Sequence, residues 1–152
     1  MVIRTIIFLV LNFGALAIAG YYTGDGVPSD WYTSLDKAPW TPPGWVFGFA
    51  WTTIMICFSL FMALLWPAID GKISITMLYL VQWILNVAWS PLFFHYRFVD
   101  FALINISLLT VVVGIFLFSY KKQVAKGRWL ALPYFVWLLL ATSLNGYISL
   151  FN

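Results

Sequence analysis

The side chains able to do chemistry here are amides and indoles rather than acids, bases or thiols. All five acids, Asp25, Asp30, Asp36, Asp70 and Asp100, fall in loops or at the ends of apolar runs, and His95 is alone. They assemble no metal site and no Ser-His-Asp arrangement. There is no glycine loop for phosphate, and no carboxylate deep in an apolar run of the kind that couples proton transport. Cys57 has no partner for a disulfide and reads as inert buried packing. What remains is Asn12, Gln82, Asn86, Asn105 and Asn145 inside apolar runs, with Trp51, Trp83, Trp89 and Trp137 at similar depth.

Spacing organises these groups. Trp83, Asn86 and Ser90 stand at i, i+3 and i+7 and share a helix face, with Gln82 on its flank. Tyr134, Trp137, Ala141 and Leu144 make a similar face further on, Ala141 leaving room beside Trp137. Two readings stay open. The amides can bond across helices as packing glue, worth about 1 kcal/mol each. Together with deep indoles they can instead line a cavity for a flat, mostly apolar ligand.

The elements carrying them must be membrane helices. The 152 residues are 63% hydrophobic and 9% charged, with mean hydropathy +0.94. A soluble domain carries about a quarter charged residues, so lipid is the solvent. Five stretches reach the roughly 20 apolar residues of a spanning helix: about 2–22, 44–66, 73–94, 99–120 and 129–151. Arg4 and Ala17-Ile18-Ala19 resemble a secretory signal. The apolar run nevertheless continues through Tyr22, and Gly14, Ala15, Ala19 and Gly20 suit close helix packing, so a retained helix is expected. Short connections predict an up-down, all-α bundle in one domain. Trp45, Trp66 and Trp129, near helix ends, read as interface anchors. The cluster Lys121, Lys122, Lys126 and Arg128 reads as a cytoplasmic loop, not a nucleic-acid site. With Arg4 and Lys72 on the same side, it predicts a cytoplasmic N-terminus.

Between the first two spans lies Trp31–Pro43, WYTSLDKAPWTPP, stiffened by Pro39, Pro42 and Pro43 and rich in aromatics. It is expected to be a lid, within a loop of about 23–43, that faces outward. Thr41 is expected to cap the second helix, with Pro42 at its first position.

These motifs resemble the TspO/MBR family, the tryptophan-rich sensory proteins that include the mitochondrial translocator protein or peripheral benzodiazepine receptor. The lid pattern Trp31-Tyr32, Leu35, Lys37, Trp40 and Pro42-Pro43 carries the first match. Gln82, Asn86, Trp89, Pro91 and Phe93-Phe94 carry the second, and Pro133-Tyr134, Trp137, Ala141 and Leu144-Asn145 the third. The blocks come in family order and span nearly the whole chain. The resemblance implies a five-helix bundle, commonly a homodimer, in a bacterial membrane, with a cavity beneath the first loop. It further implies binding of porphyrins such as protoporphyrin IX, of benzodiazepine-type compounds and, in some members, of cholesterol, with no required cofactor. Residue by residue it carries over Trp51, Asn86, Trp137 and Ala141 as cavity residues, and Trp31, Tyr32 and Trp40 as lid.

Two positions depart from the pattern. Ala38 follows Lys37 where the family has Pro. In the last helix Gly146 stands where the cholesterol motif needs Tyr, and no basic residue follows. Such motifs are weak even when intact, so cholesterol binding through this segment is not expected. The leading expectation is a membrane protein that senses or transports tetrapyrroles. Its ligand would meet Trp51, Asn86 and Trp137, with Trp83, Ser90 and Tyr134 alongside and Lys37 as the cation for propionates. Two alternatives stand beside it: an enzyme degrading porphyrin in light, with Trp51 and Trp137 as reactive groups, and a regulatory or structural membrane subunit.

Overall fold

A computed structural model describes all 152 residues. Every regular element is helical: α1 (Val2–Gly26), α2 (Asp30–Ser34), α3 (Gly44–Ala68), α4 (Lys72–Ser90), α5 (Val99–Ser119), α6 (Lys121–Val124) and α7 (Leu132–Phe151). A π-helical turn, Pro91–His95, prolongs α4, and a 3₁₀ stretch, Ala125–Ala131, leads into α7. The five long helices are the five expected spans, each apolar and long enough to cross a bilayer.

Their packing closes a ring. α1 lies between α3 and α4, α5 between α4 and α7, and α3 completes the circuit against α7. α4 and α7 therefore share no packed seam, and their side chains meet only across the interior. One end of the ring carries the lid and the α4–α5 turn; the other, the basic end, carries Lys72 and the α6 loop. At the basic end the interior is plugged by aromatics. Phe58 of α3 stacks on Phe61 and Tyr79 and meets Phe116 and Tyr134 edge-on, at 5.3–6.4 Å between centroids. Pairs of this kind contribute about 0.5–1.5 kcal/mol beyond area burial. That matters here because lipid provides no hydrophobic drive between helices.

Four of the five amides bond across helices, among them Gln82 to Tyr134 of α7. Asn12 of α1 donates to Ser59 Oγ of α3 at 2.8 Å and accepts from the Tyr79 hydroxyl of α4 at 2.7 Å. Asn105 donates to the Leu85 carbonyl at 2.8 Å. Asn145 accepts from Trp89 Nε1 and donates to the Val99 carbonyl, both at 3.0 Å. Of the small residues on α1, Ala15 is buried, whereas Gly14 and Gly20 face open space. Cys57 is half-buried rather than sealed in the core.

Several boundaries differ from expectation. α1 runs on past Tyr22 to Gly26, because Thr23 donates its hydroxyl to the Ala19 carbonyl at 2.9 Å and buried Gly26 lies against Phe94. A Cβ at position 26 would collide with that ring. Thr41 does not cap α3. Its hydroxyl and its amide both donate to the Ala38 carbonyl, at 2.7 and 2.9 Å, closing the turn Ala38-Pro39-Trp40-Thr41, and Pro43 takes the N-cap. Pro39 sits second in that turn, where its fixed φ suits the bend. After the π turn Arg97 adopts a left-handed conformation (φ 58°), held by the Phe98 amide donating to the Leu92 carbonyl. Glycine would take that conformation at a cost lower by about 1–2 kcal/mol.

Candidate ligand-binding site

The inward stripe of α4 is Tyr79, Gln82, Asn86, Trp89 and Phe93. Gln82 Nε2 donates to the Tyr134 hydroxyl of α7 at 2.9 Å, and Trp89 reaches Asn145 of α7 nearer the lid. Between those two crossings lie Asn86, 6% exposed, and Trp137, 8% exposed. From α3, Trp51 meets Tyr134 with centroids 6.0 Å apart, and Phe47 meets Trp137 edge-on at 5.3 Å. Ala141 lies one turn beyond Trp137 and is half-buried. Trp51, Asn86, Tyr134 and Trp137 thus converge on the interior from three helices.

Trp83 and Ser90 lie elsewhere. The Trp83 indole donates to the Leu11 carbonyl of α1 at 2.9 Å, and Ser90 Oγ lies 3.3 Å from Thr23 Oγ1 of α1. Both sit on the α1–α4 seam. Gln82, placed on the flank by spacing, belongs to the interior stripe instead. Two faces of α4 contain Asn86, and the helical period alone does not say which one turns inward.

Polar bookkeeping separates this region from the glue. Trp137 Nε1 and Gln82 Oε1 are buried without a hydrogen-bond partner; the one other such atom, Arg4 Nε, lies at the far end of α1. Leaving a buried donor or acceptor unpaired costs about 1–3 kcal/mol. An unpaired donor on α7 and an unpaired acceptor on α4 therefore lie in the interior, with Asn86 buried on the same stripe of α4.

The lid covers this end of the ring. Ser29 caps α2, its Oγ accepting from the Tyr32 amide at 3.2 Å. Trp31 and Tyr32 pack edge-on against Phe93, at 5.6 and 6.3 Å, and Phe93 stacks on Trp89 at 5.1 Å. Burial pushes the Tyr32 phenol pKa up, so it stays neutral. Lys37 lies over the Tyr32 ring, Nζ 4.6 Å from its centroid, and donates to the Leu35 carbonyl. Ala38 is buried, and Pro42 and Pro43 lead into α3. The outer end of α7 holds the lid down. Trp40 Nε1 donates to Ser143 Oγ at 3.1 Å, and Asn152 pairs with the Asp36 backbone through two hydrogen bonds, at 2.7 and 3.0 Å. Spacing offered no sign of this clasp. Two surface hollows, about 480 and 380 Å³, flank the lid, and neither is lined by Trp51, Asn86, Trp137 or Ala141. Trp31, Tyr32 and Trp40 thus pack the lid segment onto the helices at this end of the ring.

The TspO/MBR family profile matches residues 6–151. The tryptophan-rich sensory protein of Cereibacter sphaeroides is 31% identical over 138 residues, covering 90% of this chain and 87% of its own. The tryptophan-rich protein TspO of Archaeoglobus fulgidus is 33% identical over 147 residues, 94% of each chain. The human translocator protein is 30% identical over 141 residues, 90% of this chain and 82% of its own. With a five-helix ring beneath an aromatic lid, and relatives matched along almost their whole lengths, this chain belongs to the TspO/MBR family.

Proposed function

We propose that this protein binds tetrapyrroles such as protoporphyrin IX inside the ring, beneath the lid, and serves as their sensor or carrier. The observation carrying this reading is the pair of unpaired buried atoms Trp137 Nε1 and Gln82 Oε1 in an aromatic setting, with the buried Asn86 side chain between the two α4–α7 crossings. A flat, mostly apolar ligand with peripheral polar groups satisfies such a site, with Trp51 and Trp137 supplying ring faces. Lys37 is the lid cation available to a propionate once the lid lifts. The sensory and translocator names of the relatives favour binding over turnover. The basic end faces the cytoplasm in this reading, which places the lid and the C-terminus outside. A reporter fused to the C-terminus then reads as external.

The test is a protoporphyrin IX titration of purified protein, followed by quenching of tryptophan fluorescence. Trp137→Ala removes a donor and a ring face, and Trp51→Ala a ring face. Each is expected to weaken binding at least tenfold, which corresponds to about 1.4 kcal/mol. Wild-type affinity in both variants would overturn the site.

A further inference from the structure

The larger of the two hollows belongs to no part of the reading above. It opens outside the ring at the lid end, where α1 ends beside the π turn of α4, and has a volume of about 480 Å³. Its floor is the close approach of Gly26 to Phe94. Its lining carries both signs of charge, Asp25 and Arg97, with the His95 imidazole and the rings of Tyr21 and Tyr22. Tyr22 meets Tyr21 edge-on at 5.4 Å and His95 at 5.8 Å, so the aromatic wall is continuous. The Arg97 guanidinium pairs with no carboxylate; it leans over the Trp31 ring at 5.5 Å. Its backbone is left-handed, a conformation that glycine adopts without strain. The strain is kept at a residue that lines this hollow and the neighbouring one, a pattern associated with function.

We infer that this hollow binds the headgroup of a phospholipid bearing a primary ammonium, such as phosphatidylethanolamine. Arg97 and His95 hold the phosphate, while Asp25 and the tyrosine rings receive the ammonium through hydrogen bonding and cation–π attraction. The position suits a lipid. Tyrosines gather at the level of bilayer headgroups, and the exposed apolar flanks of α1 and α4, including Ile18 and Ile84, offer a bed for acyl chains. A purely anionic lipid leaves Asp25 facing like charge. A choline headgroup cannot donate to the carboxylate.

Native mass spectrometry of delipidated protein in detergent tests this, titrating phosphatidylethanolamine, phosphatidylglycerol and phosphatidylcholine of matched chains. One ethanolamine lipid per chain is expected to bind at least tenfold more tightly than either competitor. Arg97→Gly relieves the backbone strain and should melt no lower than wild type, yet lose that site. Asp25→Asn should bring the ethanolamine lipid down to the level of phosphatidylglycerol. Equal binding of the three lipids, or unchanged lipid binding by Arg97→Gly, would overturn the inference. So would inorganic phosphate displacing the lipid at millimolar concentration, since the site would then be one for a free anion.

Discussion

Gln82 and Tyr134 offer a test in which stability and binding move in opposite directions. Tyr134→Phe removes the partner of Gln82 Nε2, leaving a buried amide with neither donor nor acceptor satisfied. The general cost of stranding such a group is about 1–3 kcal/mol. Hydrogen bonds between membrane helices average nearer 0.6 kcal/mol, so a loss of about 1 kcal/mol is the working figure. Gln82→Leu strands the Tyr134 hydroxyl but also deletes the unpaired carbonyl; the two terms are of similar size, and the net change is close to zero. The double variant loses one hydrogen bond and the orphan together, and should be at least as stable as wild type. A coupling of about 1–3 kcal/mol follows, within the range for residues in contact.

Unfolding in mixed micelles, read by tryptophan fluorescence, measures all four corners of this cycle. Protoporphyrin IX titration supplies the second readout. If the Gln82 carbonyl is kept free for ligand, both variants lacking it bind about tenfold more weakly (about 1.4 kcal/mol), while the double variant stays folded. A double variant as unstable as Tyr134→Phe would refute the accounting. A stable double variant with wild-type affinity would refute the role given to Gln82.

Two further outcomes follow. Asn152→Ala combined with Trp40→Phe removes three hydrogen bonds between the lid and α7, each worth about 0.5–1.5 kcal/mol at most in this exposed setting. Porphyrin dissociation, followed by stopped flow, should accelerate about tenfold or more, and an unchanged rate would mean that the clasp does not hold the lid. Two glycines of α1 should respond with opposite sign: Gly24→Ala meets open space and should raise the melting temperature, by about 1 kcal/mol of stability, whereas Gly26→Ala drives a methyl into Phe94 and should lower it, by about 1–3 kcal/mol.

The five spans are legible because apolar length is a coarse signal that needs no partner to interpret. Helix ends are not, since they depend on neighbours. The apolar run ends at about Tyr22, yet the helix continues through Thr23-Gly24-Asp25-Gly26, where Gly26 packs against Phe94. Thr41 has the chemistry of a cap, but the Ala38–Thr41 turn claims its hydroxyl first. The same turn gives Pro39 a place one position later than the family pattern has its proline. On α4 the period brings Asn86 onto two overlapping faces, and ring closure selects the one with Gln82 rather than the one with Trp83 and Ser90. Amides as a class were visible in the sequence. Which of them were spent as glue was not, because that is decided by partners on other helices.

The distribution of satisfied and unsatisfied groups explains how one small ring can be both stable and open to a ligand. Towards the basic end Phe58 and its aromatic neighbours fill the interior, and Asn12 is paired with Ser59 and Tyr79. Nothing there needs to move. α4 and α7 have no common seam and are joined across the interior by Gln82–Tyr134 at the edge of the plug and by Trp89–Asn145 nearer the lid. A chain of contacts runs from Trp31 to Phe93, from Phe93 to Trp89, and from Trp89 to Asn145 on α7. Lifting the lid, as the proposed function requires, would take Trp31 off Phe93, the ring stacked on Trp89 at its crossing to α7. In the function proposed above a flat ligand enters between that crossing and the plug, where the unpaired Trp137 donor lies, with the Gln82 carbonyl about two helical turns deeper than Trp89.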